Sequence, residues 1–126
     1  MDVQEQNEHG LKLRVDMFGR EVVEQRMNAF GDFGKPLQHI INAYAYGDVW
    51  QRRSLPPVVK SLVMVAMMGA AGRNNELRVH LRGALKNGCS TEQIQDVLLL
   101  LTMYCGIPAA NEAHRVAADV LNEDKR

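Results

Sequence analysis

The chain has 126 residues, of which 46% are hydrophobic and 6% are aromatic. A chain of this length can form one domain with a core of its own. Fifteen Lys and Arg residues balance fifteen Asp and Glu residues, so the formal net charge is zero. Nucleic-acid-binding proteins cluster basic residues against phosphates, and this sequence has no basic stripe. Composition and charge therefore argue against a nucleic-acid partner.

The first residues and the cysteines bear on where the protein resides. The first eight residues are polar and lack the apolar segment of a signal peptide. The longest nearly uncharged apolar run, 62–72, is too short to cross a bilayer. Cys89 and Cys105 match neither a metal-binding pattern nor a CxxC pair. We therefore expect a cytoplasmic protein with ordinary reduced thiols, no metal site and no membrane contact, and with Cys105 buried as a small apolar residue.

Apolar residues recur with a helical period along most of the chain, and no period-2 run of strand length occurs. We predict an all-α protein of about six helices in a single domain over residues 1–126, with 1–8 and 122–126 frayed. A loop is expected over 30–36, and Pro36 suits the first turn of the next helix. Helices are predicted over residues 11–18, 37–47, 58–71, 76–87, 92–104 and 109–121, with a shorter helical piece over 21–29.

Two of these segments carry more apolar surface than one small core can cover. Segment 58–71 is apolar nearly all round, which is typical of a helix covered on every side. Segment 92–104 follows a Ser90–Gln93 capping box and has two apolar stripes, which need two packing partners. The surplus indicates a homo-oligomer.

A short polar run contains three side chains that could act together. Glu76 and His80 are one helical turn apart, and Arg73 falls within about 60° of both when each residue turns by about 100°. A guanidinium, a carboxylate and an imidazole would then share one strip of a helix. Spacing alone also fits an ordinary surface ion pair between Arg73 and Glu76.

Four motifs occur in order through most of the chain. They are Tyr44-Ala-Tyr-Gly-Asp-Val-Trp50, Lys60-Ser-Leu62, Arg73-x-x-Glu76-Leu-Arg-x-His80-x-Arg82-x-Ala84-x-x-Asn87-Gly88, and Tyr104-Cys-Gly-Ile-Pro-Ala-Ala-Asn111. Over about residues 11–120 the sequence resembles the 4-carboxymuconolactone decarboxylase family. The resemblance implies the all-α alkylhydroperoxidase-D-like fold, assembled as a trimer or hexamer.

The resemblance also implies a carboxy-lyase of aromatic catabolism, in the β-ketoadipate pathway. Its substrate would be 4-carboxymuconolactone or a closely related lactone acid. Such a lactone dicarboxylate carries its own electron sink, because the ring carbon that bears the departing carboxylate is connected through a double bond to the lactone carbonyl. No cofactor is then expected.

Roles for five residues follow from this resemblance. Arg73 would grip a substrate carboxylate, because a guanidinium binds carboxylates in a fixed bidentate geometry. His80 would donate the proton, and Glu76 would hold its imidazole in the charged form. Trp50 and Tyr44 would wall the substrate pocket.

Other functions stay open at this stage. The sequence departs from the decarboxylase pattern at Lys60, Glu112 and His114, which leaves the substrate undecided. The redox branch of the superfamily carries CxxC before its histidine, and here Arg73 and Glu76 stand at those positions, which disfavours disulfide chemistry. The alternatives are an alkylhydroperoxidase-like redox protein, or a relative of different activity or with no catalytic site. Three basic residues follow Glu76, and we interpret them as a solvated face or as subunit contacts. They are Arg78, Arg82 and Lys86.

Overall fold

The computed structural model describes residues 1–123, and within this range the regular structure is entirely helical, which confirms the predicted all-α class. The described part contains seven α-helices rather than about six. Two 3₁₀ turns, Gly31–Gly34 and Val49–Gln51, and a π-helical segment, Ile41–Tyr46, complete it. No helix in this range is long and apolar enough to span a membrane. The helices are α1 (Val3–Phe18), α2 (Arg20–Asn28), α3 (Lys35–Ile40), α4 (Pro57–Ala71), α5 (Asn74–Lys86), α6 (Thr91–Cys105) and α7 (Ile107–Leu121).

The chain divides into two compact units, the first formed by residues 1–55 and the second beginning at Pro56. The first unit contains α1 to α3 and the π-helical segment, and the second contains α4 to α7. That both belong to one domain stays a prediction.

In the first unit, α1 begins earlier than predicted. The side chain of Asp2 accepts a hydrogen bond from the backbone N–H of Glu5 at 2.8 Å, which caps the helix. The residues that we predicted to be frayed, 3–8, are therefore helical. The other predicted frayed segment, 122–126, lies outside the described residues from 124 onward.

The π-helical segment of the first unit packs closely on α1. Gly10 on α1 leaves no space for a Cβ atom against the carbonyl of Asn42, so the two backbones touch. The Gln6 side chain donates to the carbonyl oxygen of Ala43 at 3.1 Å, and so provides a hydrogen-bond donor to a backbone carbonyl of the π-helical segment. The predicted loop before this region was wrong in part, because 31–34 form a 3₁₀ turn and α3 already begins at Lys35.

The second unit is built around one apolar core. Its centre is α5, where Leu77 and Leu81 are fully buried and the helix packs against α4 and α7. On α4, Gly69 lets α6 approach closely, because a Cβ there would lie 2.8 Å from Cδ1 of Leu101. The core consists of Val65, Leu77, Leu81, Ala84, Cys89, Ile94, Leu98, Leu101, Ala110, Ala113, Val116, Ala117 and Val120.

Two helices of the second unit keep apolar residues on the outside. On α4, Ser61, Val65 and Gly69 are buried, so this chain alone does not cover the helix on every side. The exposed apolar residues of α4 are Val59, Val63 and Met67. Helix α6 begins with the predicted Ser90–Gln93 capping box and buries one of its two apolar stripes. Its other stripe is exposed and consists of Leu99, Leu100 and Met103.

Two ion pairs join α5 to the end of α7. Arg82 forms a bidentate pair with Glu123, with nitrogen–oxygen distances of 3.0 and 2.5 Å, and Arg78 pairs with Asp119. Arg78 therefore contacts α7 and Arg82 contacts Glu123 just beyond its end, where the sequence had suggested a solvated face or a subunit contact. The hydrogen bond from Arg82 lowers the pKa of Glu123.

This pair predicts an acid-sensitive contribution to stability. A carboxyl group whose pKa is lowered by folding stabilises the protein above its unfolded pKa, about 4.3 for Glu, and loses this effect as the pH falls through the lower folded value. We expect Glu123→Gln to reduce the free energy of unfolding at neutral pH by about 0.2–1 kcal/mol, the range for partly exposed pairs. The difference from wild type should vanish in acid, as measured by urea unfolding across pH. The control is Glu8→Gln on the exposed side of α1, and an equal pH dependence in both variants would contradict the assignment.

Candidate functional site

The predicted site residues of the second unit lie at the corner between α4 and α5. Helix α4 ends at Gly72, which adopts the left-handed conformation with φ of 70°. The backbone N–H of Arg73 then donates to the carbonyl of Met68 at 3.0 Å, and the carbonyl of Arg73 accepts from the N–H of Leu77 at 2.8 Å. One residue thus closes α4 and opens α5, which fixes the direction in which α5 leaves the corner.

Arg73 does not share the helical strip that the sequence predicted. It is the N-cap residue of α5, with φ of −90° and ψ of 75°, and the helix begins only at Asn74. The count of 100° per residue applies only to residues with helical backbone angles. The wheel argument was therefore wrong for Arg73, whose side chain is exposed at the start of the helix.

Glu76 and His80 both lie within α5, one turn apart, so they share a face as predicted. His80 is 7% exposed, whereas Glu76 is half-buried one turn nearer the N-terminus. An imidazole buried one helical turn from a carboxylate is suited to holding and delivering a proton, because bulk water has little access to it. The sequence alone left open whether this strip faced solvent, and the burial of His80 shows that the imidazole does not.

Tyr44 and Trp50 belong to the first unit. Tyr44 lies in the π-helical segment, half of it exposed, with its ring edge-on to His39 at 6.5 Å between centroids. Trp50 lies in the 3₁₀ turn that follows and stacks on Tyr46 at 5.7 Å, with 11° between the ring planes. One face of the indole is therefore covered by Tyr46. The role of both residues in walling a pocket stays a prediction.

Two motif residues of α4 and α5 support the backbone of the second unit. Ser61 is buried on α4, and its hydroxyl accepts a hydrogen bond from the side-chain amide of Asn87 at 3.0 Å. Asn87 caps the C-terminal end of α5. This bond ties the end of α5 to α4, so α5 is held at its far end as well as at the Gly72 corner.

Glu112 and His114, two of the positions at which the sequence departs from the decarboxylase pattern, make contacts within the second unit. Glu112 on α7 accepts a hydrogen bond from the side chain of Asn74 at 3.1 Å and pairs with Arg115 at 2.8 Å. Because Asn74 is the first residue of α5, this contact supports the turn that carries Glu76. The Nδ1 atom of His114 lies 2.7 Å from the carbonyl oxygen of Ala110, a bond within α7. Glu112 thus has a structural role close to the site.

The thiols give little support to the redox alternative. Cys89 is buried, its Sγ lies 3.4 Å from the carbonyl oxygen of Val58, and burial raises the pKa of its thiol. Disulfide and peroxide chemistry needs the thiolate, which this environment disfavours. Cys105 is exposed, so our expectation that it is buried was wrong. It ends α6 just before Gly106, where the apolar face of that helix is already open to solvent.

Sequence reasoning missed a buried polar cluster in the first unit. Arg14 on α1 is buried and donates hydrogen bonds to Gln38 and Asn42. A signal for it existed, because Arg14 is three residues after Leu11 and thus on the apolar stripe of the first predicted helix. A charged residue on that stripe indicates a buried polar partner.

Comparison with known proteins places the chain in a family. Residues 35–119 match the model of the carboxymuconolactone decarboxylase family. The chain is 33% identical over 123 residues to the 4-carboxymuconolactone decarboxylase of Acinetobacter baylyi, covering 98% of this chain and 92% of that protein. It is 34% identical to the nitrosuccinic acid decarboxylase of Metarhizium robertsii, covering 92% of this chain and 81% of that protein.

A third relative is Peroxisomal protein 2 of Schizosaccharomyces pombe, 30% identical over 69% of this chain and 43% of that protein. The two decarboxylases and the matched family model support an enzyme of the carboxy-lyase class. The matched region contains the corner at Gly72, the whole of α5 and most of α7. The chain belongs to the carboxymuconolactone decarboxylase family.

Proposed function

We propose that the chain decarboxylates 4-carboxymuconolactone, or a closely related lactone acid, in aromatic catabolism through the β-ketoadipate pathway. The observation that carries the proposal is the buried His80 one turn from Glu76, within the matched region of the family. The relative from Acinetobacter baylyi, similar over 98% of this chain, supports the lactone acid as substrate. The relative named for nitrosuccinic acid has nearly the same identity to this chain, so a direct assay has to decide between the two substrates.

The substrate supplies the electron sink of the proposed reaction. The bond between the ring carbon and its carboxylate breaks, carbon dioxide leaves, and the electron pair moves through the double bond into the lactone carbonyl. The resulting dienolate takes up one proton on carbon. The enzyme has to hold a dianion, stabilise the charge that grows on the lactone oxygen, and supply that proton.

His80 is the proposed proton donor. Its imidazolium can protonate carbon and then recover a proton from water, and its burial keeps that proton from exchanging freely with solvent. Glu76, one turn away on the same face of α5, would favour the charged imidazolium and so act as a positioning residue.

Arg73 is the proposed carboxylate-binding residue. The reason is its position at the start of α5, since it does not share a helical face with Glu76 and His80. As the N-cap residue it stands at the positive end of the α5 dipole, where the first-turn N–H groups also favour an anion. Its exposed guanidinium could bind a carboxylate in a bidentate manner as the substrate enters. The roles of Tyr44 and Trp50 as pocket walls are carried over from the family resemblance.

The direct test is to mix the purified protein with 4-carboxymuconolactone and follow the ultraviolet spectrum. Decarboxylation moves the ring double bond relative to the lactone carbonyl, which changes the chromophore, and carbon dioxide should be released in equal amount. If neither changes at micromolar enzyme while the protein is folded, this lactone is not the substrate.

Replacing the proton donor is the first prediction for this site. We expect His80→Ala to lower kcat by about 10²–10⁴-fold, the usual contribution of positioned acid–base catalysis. Circular dichroism should show unchanged helix content. The matched control is His114→Ala, which removes an exposed histidine of α7 and should keep turnover near wild type. Full activity in His80→Ala would rule out the proton-donor role.

The second prediction separates Glu76 from His80. A carboxylate that favours the imidazolium extends activity to higher pH, so Glu76→Gln should move the high-pH limb of the kcat profile to lower pH. A glutamate needed only for folding would lower the fraction of active protein without moving this limb. Kinetics across pH, with Glu92→Gln on the exposed first turn of α6 as control, distinguish the two outcomes.

We further propose that the protein is a cytoplasmic homo-oligomer, a trimer or hexamer as in the resembling family. Support comes from the outer face of α6 and the residues after it, where Met103 is 79% and Tyr104 86% exposed. The other large apolar residues there are Leu99, Leu100 and Ile107. Contiguous exposed apolar surface of this kind marks contact sites, and a second copy of the chain offers the same surface.

Charge introduced on this face should dissociate the oligomer. We expect Leu100→Lys with Met103→Lys to shift the mass measured by light scattering from a multiple of the 14.1 kDa chain to the monomer value. The control, Gln95→Lys, adds a similar charge at another exposed position of α6 and should leave the mass unchanged. A wild-type protein that is already monomeric at micromolar concentration would contradict the proposal.

A further inference from the structure

The first unit contains a cavity of about 410 Å³ that the proposed reaction does not use. It lies between α1, α2 and α3 with the start of the π-helical segment, and every residue that lines it precedes α4. Its apolar walls are Leu11, Val15, Val23 and Met27. A volume of this size accommodates a small organic molecule.

A buried cation lies behind the polar wall of this cavity. Arg14 is only 4% exposed, and its Nη1 atom donates to Oε1 of Gln38 at 3.0 Å and to Oδ1 of Asn42 at 2.7 Å. The guanidinium also lies over the ring of Tyr46, 5.8 Å from its centroid. All three partners are uncharged side chains, whereas buried cations are ordinarily paired with a carboxylate. Burial lowers the pKa of Arg14, and the nearby cation of Arg26 adds to this effect.

The two amides carry the influence of this cation to the cavity. Gln38 and Asn42 both line it, and each has committed its oxygen to Arg14. The NH₂ group of each amide takes no part in the bond to Arg14, and an amide whose oxygen binds a cation is a stronger donor. A wall with two such donors and a positive charge behind them favours a ligand with negatively charged acceptor oxygens.

The rim of the cavity agrees with this chemistry. Arg20 and Lys35 both line it, and each is exposed. Glu24 also lines the cavity near Arg20, at 4.0 Å, and Lys35 pairs with Asp32 at 2.7 Å. Arg20 and Lys35 thus each have a carboxylate partner, and Arg14 behind the wall adds one positive charge without one.

We propose that this cavity binds a carboxylate with an apolar body, such as an aromatic or branched aliphatic acid. The carboxylate accepts hydrogen bonds from the amide groups of Gln38 and Asn42 and serves as the counter-ion of Arg14. The apolar body packs on the walls from α1 and α2. The proposal does not depend on the decarboxylation, since neither His80 nor Glu76 takes part in it.

Benzoate and its uncharged analogue benzamide are suitable probes. Isothermal titration should show one benzoate bound per chain, and benzamide should bind at least about tenfold more weakly, because it lacks the charge-assisted hydrogen bonds. Inorganic phosphate should also bind more weakly, because it leaves the apolar walls uncovered. Equal binding of benzoate and benzamide, equal binding of benzoate and phosphate, or no binding of benzoate in the millimolar range would each overturn the proposal.

Gln38→Glu tests the role of Arg14 without removing the buried cation. The new carboxylate is nearly isosteric with the amide, pairs with Arg14 internally and places negative charge in the wall. We expect a thermal midpoint equal to or above that of wild type, together with benzoate binding weaker by at least about tenfold. The matched control is Gln25→Glu, the same chemical change at an exposed position of α2 outside the cavity, and it should bind benzoate as wild type does.

A second variant keeps the test valid if Gln38→Glu does not fold. Val15→Phe adds bulk to the partly exposed wall and should block the cavity while leaving the Arg14 cluster intact. Wild-type affinity for benzoate in a folded Gln38→Glu or Val15→Phe protein would show that the acid binds elsewhere.

Discussion

The orientation of α5 depends on the burial of two leucines. Leu77 and Leu81 are fully buried on a helix that packs against α4 and α7, and each fully buried leucine contributes about 1.5–3 kcal/mol through the area that it removes from water. Once these two side chains point into the core, helical geometry fixes every other direction on α5. Glu76 and His80 then lie on one flank of the leucines, and Arg78 and Arg82 on the other.

The polar contacts of α5 contribute less free energy to this arrangement than apolar burial does, and they mainly fix its geometry. The pairs of Arg78 and Arg82 with α7 are partly exposed, and such pairs contribute about 0.2–1 kcal/mol each. Their sum is smaller than the contribution of the two leucines, so apolar burial decides how α5 packs. The ion pairs on one flank and the Asn74–Glu112 bond at the first turn then fix its rotation and its start. A proton donor benefits from such constraints, because small displacements of a catalytic group lower the rate strongly.

The sequence predicted the second unit better than the first, for reasons that individual residues make clear. Segments 58–71 and 92–104 have strong apolar periods, and the Ser90–Gln93 box marks a helix start by its own side chains, so their boundaries agree within two residues. The early start of α1 depends on Asp2, a cap followed by polar residues that no apolar period marks. The π-helical turn depends on the contact of Gly10 with the backbone near Asn42, which is far away in the sequence.

At the candidate site, the sequence correctly predicted the relative positions of residues inside α5, and the prediction failed for the residue before the helix begins. Glu76 and His80 share a face because both lie inside α5, but Arg73 follows a left-handed Gly72 and has non-helical backbone angles. The glycine is a signal for a helix end, and applying helical angles to Arg73, the residue directly after it, gave that side chain a direction that it does not have. Whether His80 was buried depended on tertiary packing, since its position at the edge of the apolar arc fits either environment.

The surroundings of Arg14 also depend on tertiary packing. Arg14 lies on the apolar stripe of α1, and two side-chain amides are its hydrogen-bond acceptors. Taking a guanidinium out of water is strongly unfavourable, and neutral acceptors compensate less of that loss than a carboxylate does. If stability alone determined these positions, a glutamate in place of Gln38 would compensate the charge better at nearly the same volume. An amide there instead leaves the positive charge unneutralised beside a cavity that Gln38 and Asn42 both line, an arrangement that a bound anion would complete.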